Sequence, residues 1–462
     1  MSPATRNRLV VIGAGPGGYS AAFHAAELGL EVTLVDPGEQ PGGVCLHRGC
    51  IPSKALLHIA HLVSAAAEAE GLGVHFAAPN IDLERVRAWK DGVVETLTGA
   101  LGTKADRLKI TRVRGLARFA SANSLVVTGT DGTETELAFD QAIIATGSRP
   151  ALLPGIEPGG PILDATGALA LERVPKSLLV VGGGYIGLEL GSVYAALGSK
   201  VTVVEMTSGL LPGCDRDLVS VLKRRLDKRF EAMLTSTAVT ELKVQKSGVS
   251  ARLESRGKEA QQRRFDQVLV AIGRRPNSDA LQLEQAGLAT DAKGFIPVDG
   301  QQRTQIGHIF AIGDVCGEPM LAHKAYAEAR VAAEAAAGRK AVFEPRAIPA
   351  VVFTDPEIAW CGLTETAARA EGRVFETAKL PWRGNGRTLT LGRDDGMTKL
   401  IVDKETGRLL GVGLVGPNAG ELIAEAALAL EMAATAEDLR ATIHPHPTLS
   451  ETFWDAAKTL KI

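Results

Sequence analysis

The sequence has little of what marks several other classes of protein. Its 51 Lys and Arg residues are balanced by 53 Asp and Glu, so the basic excess usual in nucleic-acid binders is missing. No uninterrupted apolar run approaches the roughly 20 residues that span a bilayer. The segment before the first apolar strand, residues 1–8, is short and polar and leaves no room for a signal peptide. We therefore expect a cytoplasmic protein that binds neither nucleic acid nor membrane.

Cysteine is scarce as well, with five residues in the whole chain. An odd, sparse set does not form the disulfide framework of a secreted scaffold. Only Cys45 and Cys50 are close in sequence, and a disulfide between them in a reducing compartment is better explained as redox-active than as structural. Two cysteines at this spacing lack a second matching pair, so we expect no metal site.

One pattern occurs twice, in residues 10–36 and 179–205. Each copy predicts a strand, a Gly-rich turn, a helix, a second strand and a terminal carboxylate. The matched glycines are Gly13, Gly15 and Gly18 in the first copy and Gly182, Gly184 and Gly187 in the second. The matched carboxylates are Asp36 and Glu205.

This order of elements is typical of dinucleotide binding. One glycine makes the tight turn, one lets the backbone approach a pyrophosphate, and one lets the helix pack on the strand. The pyrophosphate lies at the helix N-terminus, where N–H groups have no partner, and the carboxylate accepts hydrogen bonds from a ribose. A single GxGxxG motif would be weak evidence for dinucleotide binding, but two complete copies predict two dinucleotide sites. Glu205, with no Arg or Lys in residues 206–214, favours NAD over NADP at the second.

The two neighbouring cysteines lie in the Gly-rich segment 42–54. Thiols five residues apart meet only where the backbone is locally irregular, which Gly49 would allow. Pro52 suits the first turn of a helix, so Cys50 would lie near a helix N-terminus, where a thiolate is stabilised. The segment therefore favours a redox pair, and two buried structural thiols are the alternative.

Segment 42–54 resembles the disulfide motif of the pyridine-nucleotide disulfide oxidoreductases, a family that includes glutathione reductase and mercuric reductase. The resemblance covers nearly the whole chain. It continues in residues 145–148, 271–277, 311–314, 320–325, 351–357 and 419–423. The last three of these segments are most similar to the members that oxidise dihydrolipoamide.

The resemblance implies that the first copy holds FAD and the second holds NAD. Lys54 would lie near the flavin with Glu189 as its charge partner, and Tyr185 could cover the nicotinamide site. The other residues implied on the FAD side are Asp36, Ala117, Thr146, Gly147, Asp314 and Ala322, and those on the NAD side are Glu205, Val239 and Gly273. For Ala117, Val239 and Ala322, simple packing is the alternative.

A histidine and a carboxylate near the end of the chain suit acid–base chemistry. Thiol–disulfide exchange needs a group that takes a proton from the incoming thiol, and histidine titrates in the right range. His446 and Glu451 supply such a pair, while His444 is interpreted as structural. The resemblance implies that His446 acts across a homodimer interface on the disulfide of the partner subunit.

The repeat and the resemblance together predict an α/β fold with two Rossmann-like domains and a C-terminal α+β dimerisation domain. The predicted regions are 1–150 for FAD, 151–276 for NAD, 277–345 for completion of the FAD domain and 346–462 for dimerisation. The predicted reaction is oxidation of dihydrolipoamide by NAD through the Cys45–Cys50 disulfide and FAD. The substrate would be carried on a lipoyl domain of a 2-oxo-acid dehydrogenase or glycine cleavage complex.

Other functions within and outside the family remain as alternatives. Glutathione reductase would normally carry basic residues around position 205, and mercuric reductase a C-terminal cysteine pair, whereas residues 458–462 contain no cysteine. An alternative of a different class is a non-catalytic flavoprotein subunit, which would bind FAD without forming NADH from thiols.

Overall fold

The computed structural model describes residues 8–461, so the prediction of a short N-terminus without a signal peptide lies almost entirely outside the described residues. The chain forms two compact units. The first unit comprises Met1–Pro52, Arg87–Ala151 and Gly273–Glu344, and the second comprises Ser53–Val86, Leu152–Ile272 and Pro345–Ile462. The four regions predicted from the sequence stay a prediction beside this division.

The first unit is built on a seven-stranded sheet. In spatial order its strands are Ile309–Ala311, Gln141–Ile144, Arg8–Ile12, Glu31–Asp36, Thr111–Ser121, Ser124–Gly129 and Glu134–Ala138. The first five pair in parallel and the last two extend the sheet antiparallel. A separate two-stranded ribbon pairs Ser148–Pro150 with Arg274–Pro276. Strand Arg8–Ile12, the middle one of the five parallel strands, is nearly all apolar and buried, as expected of a parallel strand covered on both faces.

Small side chains let the helices of the first unit approach closely. Helix Pro16–Glu27 packs against helix Ala322–Ala336, and buried alanines line both partners. The remaining helical elements that lie wholly or partly in this unit are Gly43–Arg48, Cys50–Glu68, Leu83–Arg107 and the 3-10 turns Leu283–Ala286 and Gly313–Val315. The helix after the first Gly-rich turn is therefore packed against a helix from a much later part of the chain.

The second unit contains a five-stranded parallel sheet. Its strands in spatial order are Ala232–Leu234, Lys200–Val204, Ser177–Val181, Gln267–Val270 and Ile162–Leu163. The helices associated with it are Ala165–Ala170, Tyr185–Ala196 and Arg216–Leu226. A three-stranded antiparallel sheet follows, made of Thr237–Gln245, Gly248–Ser255 and Gln261–Phe265.

The C-terminal part of the second unit is a five-stranded antiparallel sheet with helices. The strands in spatial order are Ala350–Val352, Glu357–Gly362, Leu409–Gly416, Met397–Asp403 and Phe375–Pro381. The helical elements are Glu365–Ala370, the 3-10 turn Trp382–Gly384, Gly386–Thr390, Ala419–Glu431, Ala436–Ala441 and Glu451–Lys458. This arrangement is the α+β architecture expected for the C-terminal region.

One helical stretch meets the length and composition of a membrane span, although polar and charged residues interrupt it. It covers Gly43–Leu72 and includes His47, Arg48 and Lys54. Its residues Leu56 and Ala60 belong to the buried core of the second unit. A single stretch of this kind is weak support for a membrane span, because core helices pass the same test.

Candidate active site

The first Gly-rich turn has room for backbone and ligand but not for side chains. Gly13 adopts a φ of +101°, and a Cβ there would lie 2.4 Å from the Ala145 carbonyl oxygen. A Cβ on Gly18 would lie 1.7 Å from the oxygen of Gly13, whereas one on Gly15 would meet nothing closer than 3.9 Å. Gly13 and Gly18 thus close the turn, and Gly15 leaves open space where helix Pro16–Glu27 begins. These residues fit a pyrophosphate.

The second turn repeats this geometry. Gly182 adopts a φ of +112°, and its Cβ would lie 2.3 Å from the Ala271 oxygen. A Cβ on Gly187 would lie 2.2 Å from the Gly182 oxygen, and one on Gly184 would meet nothing within 4 Å. The open position again stands at the start of a helix, Tyr185–Ala196, so the residues present fit a second dinucleotide.

The carboxylates of Asp36 and Glu205 also make matched hydrogen bonds to the backbone, which were not predicted from the sequence. Asp36 accepts the N–H groups of Ala14 and Gly38 at 2.7 Å each. Glu205 likewise accepts the N–H groups of Gly183 and Thr207, also at 2.7 Å each.

Each carboxylate therefore braces the turn that it follows. An ionised carboxylate has about four lone-pair sites, so two remain for ribose hydroxyls after two backbone bonds. Because Gly13 matches Gly182 in the repeat, the hydrogen bonds of one carboxylate predict those of the other. Residue spacing alone, however, reveals the bonds of neither carboxylate.

A hydrogen-bonded loop cluster in the first unit surrounds three of the predicted FAD-side residues. Thr146 donates its hydroxyl to the Asn277 carbonyl at 2.7 Å, and the Asn277 N–H donates to Gly147 at 2.9 Å. Asp314 accepts the Ser148 hydroxyl at 2.5 Å, and Arg274 donates to the same hydroxyl oxygen at 2.7 Å. The structure brings Thr146, Gly147 and Asp314 together through these contacts.

Ser148, Arg274 and Asn277 lie in segments that carry the family resemblance, but they were not predicted as site residues. Their pairing joins residues about 130 positions apart, which spacing alone does not reveal.

The four remaining predicted contacts occupy ordinary local positions. Ala117 is half-buried in strand Thr111–Ser121, and Val239 lies at an irregularity in the pairing of strand Thr237–Gln245. Ala322 begins helix Ala322–Ala336, and Gly273 adopts a φ of +118° just before the ribbon. Their contacts with cofactors stay predictions.

The backbone between the two cysteines is irregular, as Gly49 predicted. Cys45 lies in helix Gly43–Arg48 and Cys50 begins helix Cys50–Glu68. A Cβ on Gly49 would lie 2.9 Å from the Val44 carbonyl oxygen and 3.3 Å from the Cys45 Cα. Only glycine fits so close an approach without a shift of the backbone. Cys45 is half-buried and Cys50 is exposed at the start of its helix.

Two tyrosines lie near these cysteines and were not predicted. The hydroxyls of Tyr19 and Tyr326 hydrogen-bond to each other. Burial, with further contributions from Cys45 and Cys50, raises the pKa of both tyrosines. Both hydroxyls therefore stay protonated at neutral pH, close enough to the cysteines to interact electrostatically with them. Nothing in the local sequence around Tyr326 signals this position.

Lys54 and Glu189 form the ion pair that the resemblance implied. The distance between Lys54 Nζ and Glu189 Oε2 is 2.8 Å, and the Glu189 side chain is only 3% exposed. Ser53 donates to the same oxygen at 3.0 Å, and the Phe353 N–H donates to the other at 3.0 Å. Since Glu189 is buried and held by three donors, an ordinary surface pair is excluded.

His446 and Glu451 form the predicted pair at the C-terminus. The distance between His446 Nδ1 and Glu451 Oε1 is 2.8 Å, and Glu451 also accepts the Thr448 N–H at 2.7 Å. The Thr448 N–H and then His446 lower the pKa of Glu451, so it is ionised at neutral pH. The His446 ring is 78% exposed, while the side chain of His444 is buried against Glu425. An oriented and accessible imidazole can take a proton from a ligand.

The chain's family is decided by two sequence matches. The family described as pyridine nucleotide-disulphide oxidoreductase matches residues 7–329, and the dimerisation domain of the same family matches residues 348–457. The chain belongs to this family. Residues 8–461 hold no group of three or more His, Cys, Asp or Glu residues arranged to bind a metal.

Curated members of the family are similar over their full length. A dihydrolipoyl dehydrogenase of Haemophilus influenzae is 49% identical over 100% of this chain and 96% of its own. One from Geobacillus stearothermophilus is 46% identical, covering 98% of this chain and 96% of its own.

Solved structures of the family show the same architecture. LpdA from Mycobacterium tuberculosis has a TM-score of 0.91 at 28% identity, over 99% of this chain and 100% of its own. The HOCl-induced flavoprotein disulfide reductase RclA from Escherichia coli has a TM-score of 0.87 at 29% identity, over 98% and 100%. The predicted α/β fold, the enzyme class and the use of FAD and NAD by this family member are confirmed. The dimerisation domain supports the predicted homodimer.

Proposed function

We propose that this family member is a dihydrolipoyl dehydrogenase, which oxidises dihydrolipoamide with NAD⁺. The observation that carries the proposal is its 43–49% identity, along the full chain, to curated proteins of that name. The site adds the chemical groups that the reaction needs. These are a cysteine pair, an oriented histidine, two dinucleotide-binding turns and a buried Lys–Glu pair.

Substrate oxidation begins with proton removal. His446, oriented by Glu451 at 2.8 Å, accepts a proton from one thiol of dihydrolipoamide. The resulting thiolate attacks Cys45 of the oxidised pair, and Cys50 leaves as a thiolate. The second substrate thiol then attacks the substrate sulfur of the mixed disulfide, and its proton passes to the departing Cys45 sulfur. Lipoamide is released, with Cys45 left as a thiol and Cys50 as a thiolate. Two electrons thus enter the protein as one disulfide bond breaks and another forms.

The reduced cysteines are placed to pass these electrons on. Cys50 lies at a helix N-terminus, where a thiolate is stabilised, and the protonated hydroxyls of Tyr19 and Tyr326 would add to that stabilisation. FAD, when bound, supplies the two-electron transfer from the cysteine pair to NAD⁺. Asp36, Thr146, Gly147 and Asp314 would hold it from the first unit.

The second turn would bind NAD⁺ rather than NADP⁺. Glu205 is buried and carries a negative charge next to the ribose position, where a 2′-phosphate would be repelled. Glu189 is buried within the same helix that starts at the turn, and its pairing with Lys54 compensates its charge.

The proposal extends to partners and location. The substrate would be carried by a lipoyl domain of a 2-oxo-acid dehydrogenase or glycine cleavage complex in the cytoplasm. His446 of one subunit would serve the cysteine pair of the other, so the active site would be complete only in the homodimer. The predicted division into 1–150, 151–276, 277–345 and 346–462 is part of the same proposal.

Purified protein tests this function directly. We expect a yellow protein that forms NADH from dihydrolipoamide and NAD⁺ and shows little activity with oxidised glutathione and NADPH. Cys50→Ser should retain FAD and lose turnover, while Cys214→Ala, which alters a buried thiol elsewhere, should retain both. A yellow protein without thiol-dependent NADH formation would favour the non-catalytic flavoprotein, and activity in Cys50→Ser would reject the cysteine assignment.

A further inference from the structure

A buried ion pair in the first unit has no place in the chemistry above. Lys324 and Glu328 stand one turn apart on helix Ala322–Ala336, with Nζ and Oε1 separated by 2.7 Å. Their side chains are only 6% and 3% exposed. Pairs at this spacing are common on helix surfaces, where they contribute little to stability. Burying both charges carries a desolvation penalty, so stability alone is a weak reason for such a pair.

The pair reaches beyond its own helix to one loop. Glu328 Oε2 accepts the Gly313 N–H at 2.7 Å, and Lys324 Nζ donates to the Gly317 carbonyl at 3.3 Å. The thiol of Cys316 lies 3.8 Å from Glu328 Oε2 and 3.2 Å from the Gly313 oxygen. Both ends of the loop from Gly313 to Gly317 are therefore tied to the same ion pair.

The same loop carries Asp314. Gly313 adopts a φ of +75°, and a Cβ there would lie 3.3 Å from the Ala325 Cβ, so the helix face also limits the loop sterically. Asp314 has its own side-chain bond to Ser148 at 2.5 Å. The side chain is thus oriented by Ser148, while the backbone that bears it is held by Lys324 and Glu328.

We propose that Lys324 and Glu328 are positioning residues for FAD, because they fix the Gly313–Gly317 loop and thereby place Asp314 against the ribityl chain. The inference rests on the proposed function, in which Asp314 contacts FAD. It adds two residues that act through the loop backbone and do not touch the cofactor.

The test separates the hydrogen bond from the charge. In the double variant Lys324→Leu with Glu328→Leu, both charges and both loop contacts are lost, while a buried pair replaced by apolar groups is often neutral for stability. In Lys324→Leu with Glu328→Gln, the amide oxygen can still accept the Gly313 N–H. We expect the first variant to release FAD about tenfold faster than the wild type, and the second to stay closer to it.

FAD release is measured by flavin fluorescence after dilution of the holoprotein, with the unfolding temperature of the apoprotein as the stability readout. Glu334→Gln, on the same helix but away from the loop, is the matched control and should release FAD at the wild-type rate. Equal FAD release from the two double variants, or wild-type release from the first, overturns the inference.

Two outcomes remain distinguishable from these. If the first double variant does not fold, Lys324→Leu with Glu328→Gln is compared with the wild type, because it lacks the Gly317 contact but leaves no unpaired buried charge. It is expected to release FAD faster than the wild type, and an unchanged rate again overturns the inference. A wild-type protein that purifies without FAD would instead contradict the proposed function.

Discussion

At the scale of single residues, the two ribose carboxylates have two tasks each. Asp36 and Glu205 are expected to contact ribose, and each also accepts one N–H from the Gly-rich turn before it and one from the second residue after itself. An exchange of Glu205 therefore alters the shape of the turn as well as its charge. This double role changes what a cofactor-specificity variant should show.

Glu205→Arg should shift preference from NAD⁺ towards NADP⁺ because repulsion of the 2′-phosphate is replaced by attraction. Since Gly183 and Thr207 lose their acceptor, we expect the loss of kcat/KM with NAD⁺ to exceed the gain with NADP⁺. Steady-state kinetics with both nucleotides measures the two changes. An unchanged ratio of the two kcat/KM values would contradict the ribose assignment. A gain with NADP⁺ as large as the loss with NAD⁺ would contradict the role of Glu205 in holding the turn.

Tyr326→Phe should make the thiolates of the reduced protein less stable. The hydroxyls of Tyr19 and Tyr326 bond to each other and interact electrostatically with Cys45 and Cys50, and the variant removes one of these two hydroxyls. We expect alkylation of the reduced protein by iodoacetamide to need a higher pH than in the wild type. Tyr194→Phe, which removes a hydroxyl bound to the Ala168 carbonyl, is the control. Identical alkylation profiles for Tyr326→Phe and wild type would show that the pair does not act on the sulfurs.

At the scale of elements, a cluster of arginines ties a helix to a loop within the second unit. Asp355 lies 2.7 Å from Arg393, 2.8 Å from Arg229 and 3.2 Å from Arg225, the last of which is on helix Arg216–Leu226. Burial would raise the pKa of Asp355, but Arg393, Arg229 and Arg225 outweigh it and lower that pKa to about 2. The cluster thus joins the nucleotide-binding part of the chain to residues near the C-terminal sheet.

Asp355→Asn should destabilise the protein in a pH-dependent manner. Because the folded-state pKa is below the unfolded value, the ionised form stabilises the fold above about pH 4 by about 2 kcal/mol, and this is lost as pH falls towards 2. Chemical unfolding of wild type and variant across this range measures the difference. A difference in unfolding free energy that is constant with pH would show that the charge of Asp355 does not stabilise the fold.

The elements that sequence predicted best were those specified locally. Gly13 and Gly182 with their partners predicted both turns and both helices, because a tight turn and a close approach demand glycine within a few residues. Gly49 and Pro52 likewise predicted the broken backbone and the helix after Cys45, although that helix begins at Cys50.

At the scale of the whole molecule, contacts between distant segments were what the sequence could not show. The hydroxyls of Tyr19 and Tyr326 meet across 307 residues, and Thr146 meets Asn277 across 131. Such pairs depend on how the sheets are assembled, which no local spacing records. His446 and Glu451 were predictable because they are only five positions apart and lie in one segment.

Mixed homodimers test whether the active site is shared between subunits. Cys50→Ser and His446→Gln should each be inactive alone. In a heterodimer of the two, one site combines the intact cysteine pair of one chain with the intact histidine of the other. Coexpression should therefore restore about a quarter of wild-type turnover, given random pairing of subunits. No recovery in the isolated heterodimer would place histidine and cysteines of one site in the same chain.

The matched carboxylate bonds in the two nucleotide-binding turns also bear on how this chain arose. Asp and Glu differ by one methylene, yet each reaches the residue after its first glycine and the second residue after itself. Independent origins would have to reach the same two bonds twice, whereas duplication of one ancestral segment supplies both at once. The matched bonds therefore favour descent of the two nucleotide-binding turns from a single segment, whose internal hydrogen bonds were kept while the cofactor changed.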